Sequence, residues 1–423
     1  MLDRSIAPKI HKIEHANFAK ADTTYLSNGF PLHQLIAGEQ GVIKLELIVN
    51  AGIYQEASKQ ASFFSVNMLH EGSAKYSAEE VSRLFDFYAA EFEASVGIDY
   101  STISLTCLTK DFQHILPVFF DVVMHPLFDE EELEHLKEKQ INQLHLSLEK
   151  SSFVANNLFK QLIFPNDRFS ELLTEEEIRG VSRQDCIDYH VENILNNFQI
   201  VMAGKYSSDE IHLVKRAFES IGEYKGDDKS RIDSFGTDFT PNSIHRSKEK
   251  SIQSVLKIGK PIFTKNHPDF FKLSLLNVVL GGYFGSRLMK NIREEKGLTY
   301  GIHSTLVPMI RGGYFMISAE VSSEASELAL QEVYNEIERL RNELIPEFEL
   351  ELVRNYMLGQ FLSSVHNPFA LIEKFKAVYL YGMDYSYYDN FLHALNDTTP
   401  EELRDVAKKY LAPDQMGEVV VGP

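Results

Sequence analysis

Apolar positions along the chain fall into two kinds of register. Alternating and β-branched runs at Gly41–Ala51, Tyr100–Thr109, Ser254–Ile258 and Gly312–Val321 predict strands. Elsewhere apolar residues recur at helical spacing, as in Val154–Leu162 and Ala370–Tyr379, and other helical stretches open on an acidic first turn that suits the positive end of a helix. The pattern then repeats. Residues 128–137 (FDEEELEHLK) resemble 345–354 (IPEFELELVR), with Glu132, Leu133, Glu134 and Lys137 standing 217 residues before Glu349, Leu350, Glu351 and Arg354. The same separation sets Val181–Asp185 and Asp188 against Thr398–Glu402 and Asp405, and the apolar stretch near Met202 against Val419. Two unrelated helices would lose register well before that, so the chain reads as two copies of one unit. Each copy has early strands, a helix with an acidic start, a second helix, a capped third helix and a closing strand.

Between the copies, Lys225–Lys250 is rich in Asp, Lys, Ser, Gly and Thr and has little apolar periodicity, which predicts a linker. The expected organisation is an N-terminal domain over 1–228, a linker over 229–250 and a C-terminal domain over 251–423. A chain of 423 residues is in any case too long for one ordinary core.

Composition narrows the partners. Lys plus Arg number 42 against 61 Asp plus Glu, a formal charge of −19 that repels nucleic acid and anionic membrane over most of the surface. No apolar run reaches the eighteen residues of a membrane span, and Met1–Ala21 holds no signal-peptide core. Cys107 and Cys186 both sit in apolar patterns and predict buried reduced thiols. A cytoplasmic protein is expected, without nucleic-acid or membrane partners.

The most specific stretch is Leu280-Gly-Gly-Tyr-Phe-Gly-Ser-Arg-Leu-Met-Lys-Asn-Ile-Arg-Glu-Glu-Lys-Gly-Leu-Thr-Tyr-Gly301. Its glycines do not make a phosphate loop, because no Gly-Lys-Ser/Thr follows. The stretch resembles the C-terminal signature of the pitrilysin-like metallopeptidases, the family of insulysin and the mitochondrial processing peptidases, and the resemblance extends over about 24–423. It implies an α+β fold of two homologous domains, each a mainly antiparallel sheet with helices packed mostly on one face, in a clam-shell arrangement. It also implies that Arg293 and Tyr300, seven residues apart, steady a substrate carbonyl as its oxygen gains charge, a task for which a guanidinium and a phenol are suitable donors. The plainer alternative is that Arg293 pairs with Glu294 and Tyr300 fills a core position.

Active members of that family carry His-x-x-Glu-His on a helix in the first half, two His for zinc and the Glu to activate water. Here the resemblance places the motif on Phe63-Phe64-Ser65-Val66-Asn67, just before Met68–Ser73, so Phe63, Val66 and Asn67 occupy the functional positions. The distal ligand position falls on Leu144 or its neighbour His145. Phe and Val cannot bind zinc or accept a proton, and Asn is a poor zinc ligand. Nor does a substitute site emerge: His70 and Glu71 are adjacent and expected on different helix faces, His135 and His145 are ten apart, and His125 reads as a loop residue. No metal or cofactor is expected in this chain.

Glu91–Ile98 resembles the family's edge strand, onto which a peptide adds through main-chain bonds, with Ala94, Ser95, Val96 and Gly97 as its binding residues. The family usually has Asn near Glu93. A plain sheet edge guarded by Glu91, Glu93 and Asp99 fits equally well. The expected function is a non-catalytic subunit of a heterodimeric zinc peptidase, presenting Arg293 and Tyr300 in trans to a peptide or unfolded segment held on a zinc-bearing sister subunit. The alternatives are an inactive scaffold or peptide-binding protein of the same fold, and a zinc-independent hydrolase, for which no Ser/His/Asp or Cys/His arrangement is legible. A homodimer in isolation is compatible with either of the first two.

Overall fold

A computed structural model describes residue 13 and residues 15–226, 238–249 and 251–423. The charged start, Met1–Lys12 with Glu14, and the stretches of the expected linker at 229–237 and 250 lie outside the described residues.

The first half runs β1 (Asp22–Tyr25), β2 (Pro31–Ile36), β3 (Val42–Val49), α1 (Ala61–Asn67), α2 (Ala78–Phe87), β4 (Glu91–Val96), β5 (Ser101–Leu108), α3 (Phe112–Met124), α4 (Glu130–Leu148), α5 (Ser151–Ile163), α6 (Glu175–Gly180), α7 (Arg183–Tyr189), β6 (Phe198–Gly204) and α8 (Ser208–Phe218). The second runs β7 (Ser243–Ser247), β8 (Gln253–Ile262), α9 (Phe270–Asn277), β9 (Thr299–Met309), β10 (Gly312–Ser322), α10 (Ser326–Asn342), α11 (Glu347–Ser363), α12 (Pro368–Tyr379), α13 (Ser386–Asp397), α14 (Pro400–Tyr410) and β11 (Gly417–Gly422). The sheets are β1-β2-β6-β3-β5-β4 and β7-β11-β8-β10-β9, the same order once β1 is set aside. In each sheet one pair is parallel, β2 with β6 and β7 with β11, and the rest antiparallel. The chain is therefore an α+β protein of two homologous lobes.

The duplication extends to the helix starts. Glu130, Ser151 and Arg183 open α4, α5 and α7, and Glu347, Pro368 and Pro400 open α11, α12 and α14, each pair 217 residues apart. Local chemistry sets several of these starts: Asp129 accepts from Glu131 and Glu132, Ser182 and Thr399 form capping boxes with Asp185 and Glu402, and Asn367 accepts from the amide of Ala370. β7 falls inside the stretch expected to be linker. It is a five-residue edge strand, SIHRS, whose largely exposed side chains leave no apolar alternation to find; its pairing with β11 holds it.

Each sheet buries one face under its own helices. Leu45, Leu47, Ile103, Leu105 and Ile200 meet Phe64, Phe112 and Phe119 in the first half; Leu256, Ile258, Phe315 and Ile317 meet Leu273, Leu276, Val333 and Ile337 in the second. The opposite faces are covered reciprocally. α5 of the first half lays Ala155, Phe159 and Ile163 on Val255, Val419 and Val421 of the second sheet, and α12 of the second half lays Leu371, Ile372 and Phe375 on Leu35, Ile48, Val201 and Ala203 of the first. Each lobe thus supplies a helix that completes the other. The joint also holds a largely buried ion pair between Asp99 and Arg311 at 3.2 Å, their side chains 10% and 12% exposed, with the Arg311 guanidinium over the Tyr54 ring.

Candidate functional site

α1 is short, and its start is anchored from outside. Gln60 takes a left-handed conformation (φ 74°), and the helix is capped by the buried Glu56, whose carboxylate accepts from the amide and hydroxyl of Ser62 at 3.1 and 2.5 Å. Arg168 holds Glu56 in turn, donating to its carbonyl at 2.7 Å and its carboxylate at 3.4 Å. The frame is well built, but the side chains it displays cannot hold zinc. Phe63 is half-buried edge-on to Phe64, Val66 is fully buried, and the Asn67 amide turns back to donate to the Phe63 carbonyl at 2.8 Å. Leu144, 7% exposed, belongs to the same core, while its neighbour His145 faces outward to Glu175 at 3.0 Å. These residues offer no donor set that fits the metal.

The other histidines have local partners. His125 stands beside Asp121 at 3.2 Å and His135 beside Glu132 at 3.6 Å. His70 and Glu71, expected to diverge on a helix, lie past the end of α1 and meet at 3.1 Å, which holds the Glu71 carboxyl below its ordinary range. Among the described residues no three His, Cys, Asp or Glu side chains cluster as metal ligands would.

In the second half α9 continues into a π-helical turn, Val278–Gly282, pressed against β9. Gly281 is required there, since a Cβ would lie 2.6 Å from the amide nitrogen of Ser304. A second π-helical segment, Met289–Glu295, carries Arg293, and Gly297 (φ 64°) turns the chain from it into β9. Arg293 does not pair with Glu294; its guanidinium lies 4.6 Å over the exposed ring of Phe284. Tyr300 is the second residue of β9 and is 91% exposed, so it is not a core residue. Neither side chain has a hydrogen-bond partner among the described residues. Both are presented outward from a turn that tight packing holds in place.

β4 lies at the free edge of the first sheet. Phe92, Ala94 and Val96 pack inward, and Glu91, Glu93 and Ser95 occupy the other face, where Ser95 meets Thr102 at 2.8 Å and Glu93 lies 3.9 Å from Lys44. Of the four expected binding residues, Gly97 falls outside the strand. Its amide donates to Tyr100 and its carbonyl accepts from Ile53, so it is spent on the β4–β5 turn and has no main chain left for a guest. Counted from that bond, the alternation of an antiparallel ladder turns Ser95 towards β5 and leaves Ala94 and Val96 facing the open edge. The end of β4 and the end of β9 border one cavity of about 580 Å³ between the lobes, with Lys265, Lys376 and Tyr381 in its wall.

Comparison with known proteins agrees with this architecture. Residues 39–171 match the family model described as insulinase (peptidase family M16), and residues 180–357 match the model described as the peptidase M16 inactive domain. An uncharacterized zinc protease YmxG of Bacillus subtilis is 23% identical over 362 residues, covering 84% of this chain and 86% of the relative. A non-peptidase homolog YmxG of Helicobacter pylori is 21% identical over 355 residues, covering 81% and 80%. The crystal structure of a peptidase M16 inactive domain from Pseudomonas fluorescens superimposes with a TM-score of 0.86 at 24% identity, over 95% of this chain and 98% of that one, a likeness of fold.

Proposed function

The chain belongs to the M16 peptidase family as a member without the zinc-binding side chains, and we propose that it is the non-catalytic subunit of a heterodimeric zinc peptidase. In this reading a sister subunit carries the zinc and hydrolyses the bond, and this chain binds none. Arg293 and Tyr300 act across the interface, donating to the carbonyl oxygen of a peptide or unfolded segment as it becomes an oxyanion. The observation that carries the proposal is that contrast: Phe63, Val66, Asn67 and Leu144 are packed or turned back on their own helix, while Arg293 and Tyr300 stand outside the core without a hydrogen bond among the described residues.

The free edge of β4 at Ala94 and Val96 supports a peptide-binding role for the same chain, since strand addition asks only for main-chain groups. The test is peptide cleavage by this chain mixed with a zinc-bearing sister, with assembly followed separately by size-exclusion chromatography. Arg293→Ala or Tyr300→Phe should lower turnover on the order of a hundredfold while the complex still forms. If both variants assemble and cleave at the unmutated rate, the action in trans is wrong and the inactive scaffold takes its place.

A further inference from the structure

The symmetry between the lobes breaks at one buried charge. In the first sheet Glu46, 2% exposed, sits on β3 between Val201 of β6 and Ser104 of β5, beneath α12. Lys376 of that helix donates to both of its carboxylate oxygens, at 2.7 and 2.9 Å. On the comparable face of the second sheet stands Lys257, 6% exposed, on β8 between Val419 of β11 and Ser318 of β10. The residue of α5 that stands 217 before Lys376 is Phe159, and its ring lies over Gly259. One lobe therefore pairs a sheet carboxylate with a helix ammonium; in the other the corresponding helix position is a phenyl ring over Gly259, two residues along β8 from Lys257, which it leaves unanswered. Lys257 has no hydrogen bond or ion pair among the described residues, a costly state for a buried cation.

Lys257 is not isolated from solvent. Its Nζ is absent from the sealed, unsatisfied polar atoms of the interior, and its row continues through Ser318 to the exposed His303 on β9, the free edge of the sheet. Burial lowers the Lys257 pKa to about 8, with Glu320 acting the other way, and His303 is lowered by burial and by the charge of Lys257. A cavity of about 390 Å³ opens at the next row, against Val255 and Glu320, without reaching Lys257, Ser318 or His303.

We propose that Lys257, with Ser318 and His303 beside it, is a subsite for a carboxylate carried by an extended peptide. The proposal rests on the peptide-binding reading above and names a feature of the peptide. An incoming carboxylate would do for Lys257 what Lys376 does for Glu46, with the Ser318 hydroxyl as a second donor. Because the whole chain is strongly acidic, this subsite fixes where an acidic residue sits rather than attracting acidic peptides from a distance.

The test uses three labelled decapeptides of one sequence, titrated by fluorescence anisotropy at neutral pH: end-blocked with a central Glu, end-blocked with Gln, and Gln with a free C-terminal carboxylate. The Glu peptide should bind the wild type about tenfold more tightly than blocked Gln. Lys257→Met should bring that ratio close to one. A gain by the free-terminus peptide instead would assign the carboxylate to a chain end. Equal binding of all three overturns the subsite and leaves peptide binding standing. Discrimination that appears only after Glu320→Gln would mean that the chain's own carboxylate fills the place, and also overturns it. Should no peptide bind, the peptide reading fails, and the subsite is judged with glutarate by following the Lys257 ε-carbon by NMR: a pKa that rises with glutarate supports it, and an unmoved one overturns it.

Discussion

Phe63, Val66 and Asn67, the positions on which the resemblance places the zinc motif, differ in how readily they would accept its side chains. Phe63 and Asn67 are half-exposed on one side of α1, whereas Val66 is fully buried among the residues of the first core. Phe63→His and Asn67→His should therefore be tolerated, and Val66→Glu should cost on the order of 3 kcal/mol or more by burying an unpaired carboxylate. Thermal unfolding of the single variants checks the contrast. Adding the distal ligand should succeed only by a choice that keeps the core: Leu144→Glu disrupts it and His145→Glu does not, though His145 points away towards Glu175. Zinc binding by the double variant Phe63→His with Asn67→His, combined with either glutamate, can be read by elemental analysis. Lys257 makes a prediction of the opposite sign. Its folded pKa of about 8 lies below the ordinary 10.5, so the unfolded chain binds more protons between these values and the penalty for burying the charge is full below pH 8. Lys257→Met should then stabilise the protein by roughly 1–3 kcal/mol at neutral pH, with the gain shrinking as pH rises from 8 to 10.5 and absent above. Denaturant titrations at pH 7 and pH 10 separate this from a general packing effect, which would not depend on pH.

Among the elements, the exchanged helices matter most. α12 anchors on the first sheet by three apolar side chains and by Lys376, which answers a carboxylate buried in the middle of β3. Lys376→Met would leave Glu46 only the more distant Lys44, 3.7 Å away, and a loss on the order of 3 kcal/mol is expected in urea unfolding. The double variant Glu46→Leu with Lys376→Met should recover most of it, because the loss comes from the orphaned charge and not from the missing attraction. The duplication that reveals α5 and α12 as counterparts was legible from Glu132 and Glu349 onwards, since caps and acidic first turns are local and survive in sequence. The reciprocal exchange was not. An amphipathic stripe such as Leu371, Ile372 and Phe375 states that a face is buried, and the sheet that buries it lies hundreds of residues away.

For the molecule as a whole, exchange makes the lobes interdependent. Residues 1–228 alone would lack α12 over Leu35, Ile48, Val201 and Ala203 and would expose Phe159 and Ile163, and residues 229–423 alone would bare Val255, Val419 and Val421. Each fragment is expected to be aggregated or loosely packed when made separately, and the two co-expressed should form a stable one-to-one complex; circular dichroism and size-exclusion chromatography test both statements. Two fragments that fold cooperatively alone would mean that the exchanged helices add little to either core.

By itself the sequence determined the two homologous α+β units and the separation between them, which reside in residue types and short-range spacing. Phe63, Val66 and Asn67, and the stretch that carries Arg293 and Tyr300, were singled out by the family resemblance, not by spacing alone. What only the tertiary structure decided depends on partners distant along the chain: that Arg293 stacks on Phe284 and avoids Glu294, that Gly97 is consumed by its own turn, that the polar strand β7 joins a sheet, and that Glu46 has Lys376 while Lys257 has no such partner among the described residues. The physical reason is that a side chain's charge and size are local, but whether that charge is answered is settled by whichever element packs against it.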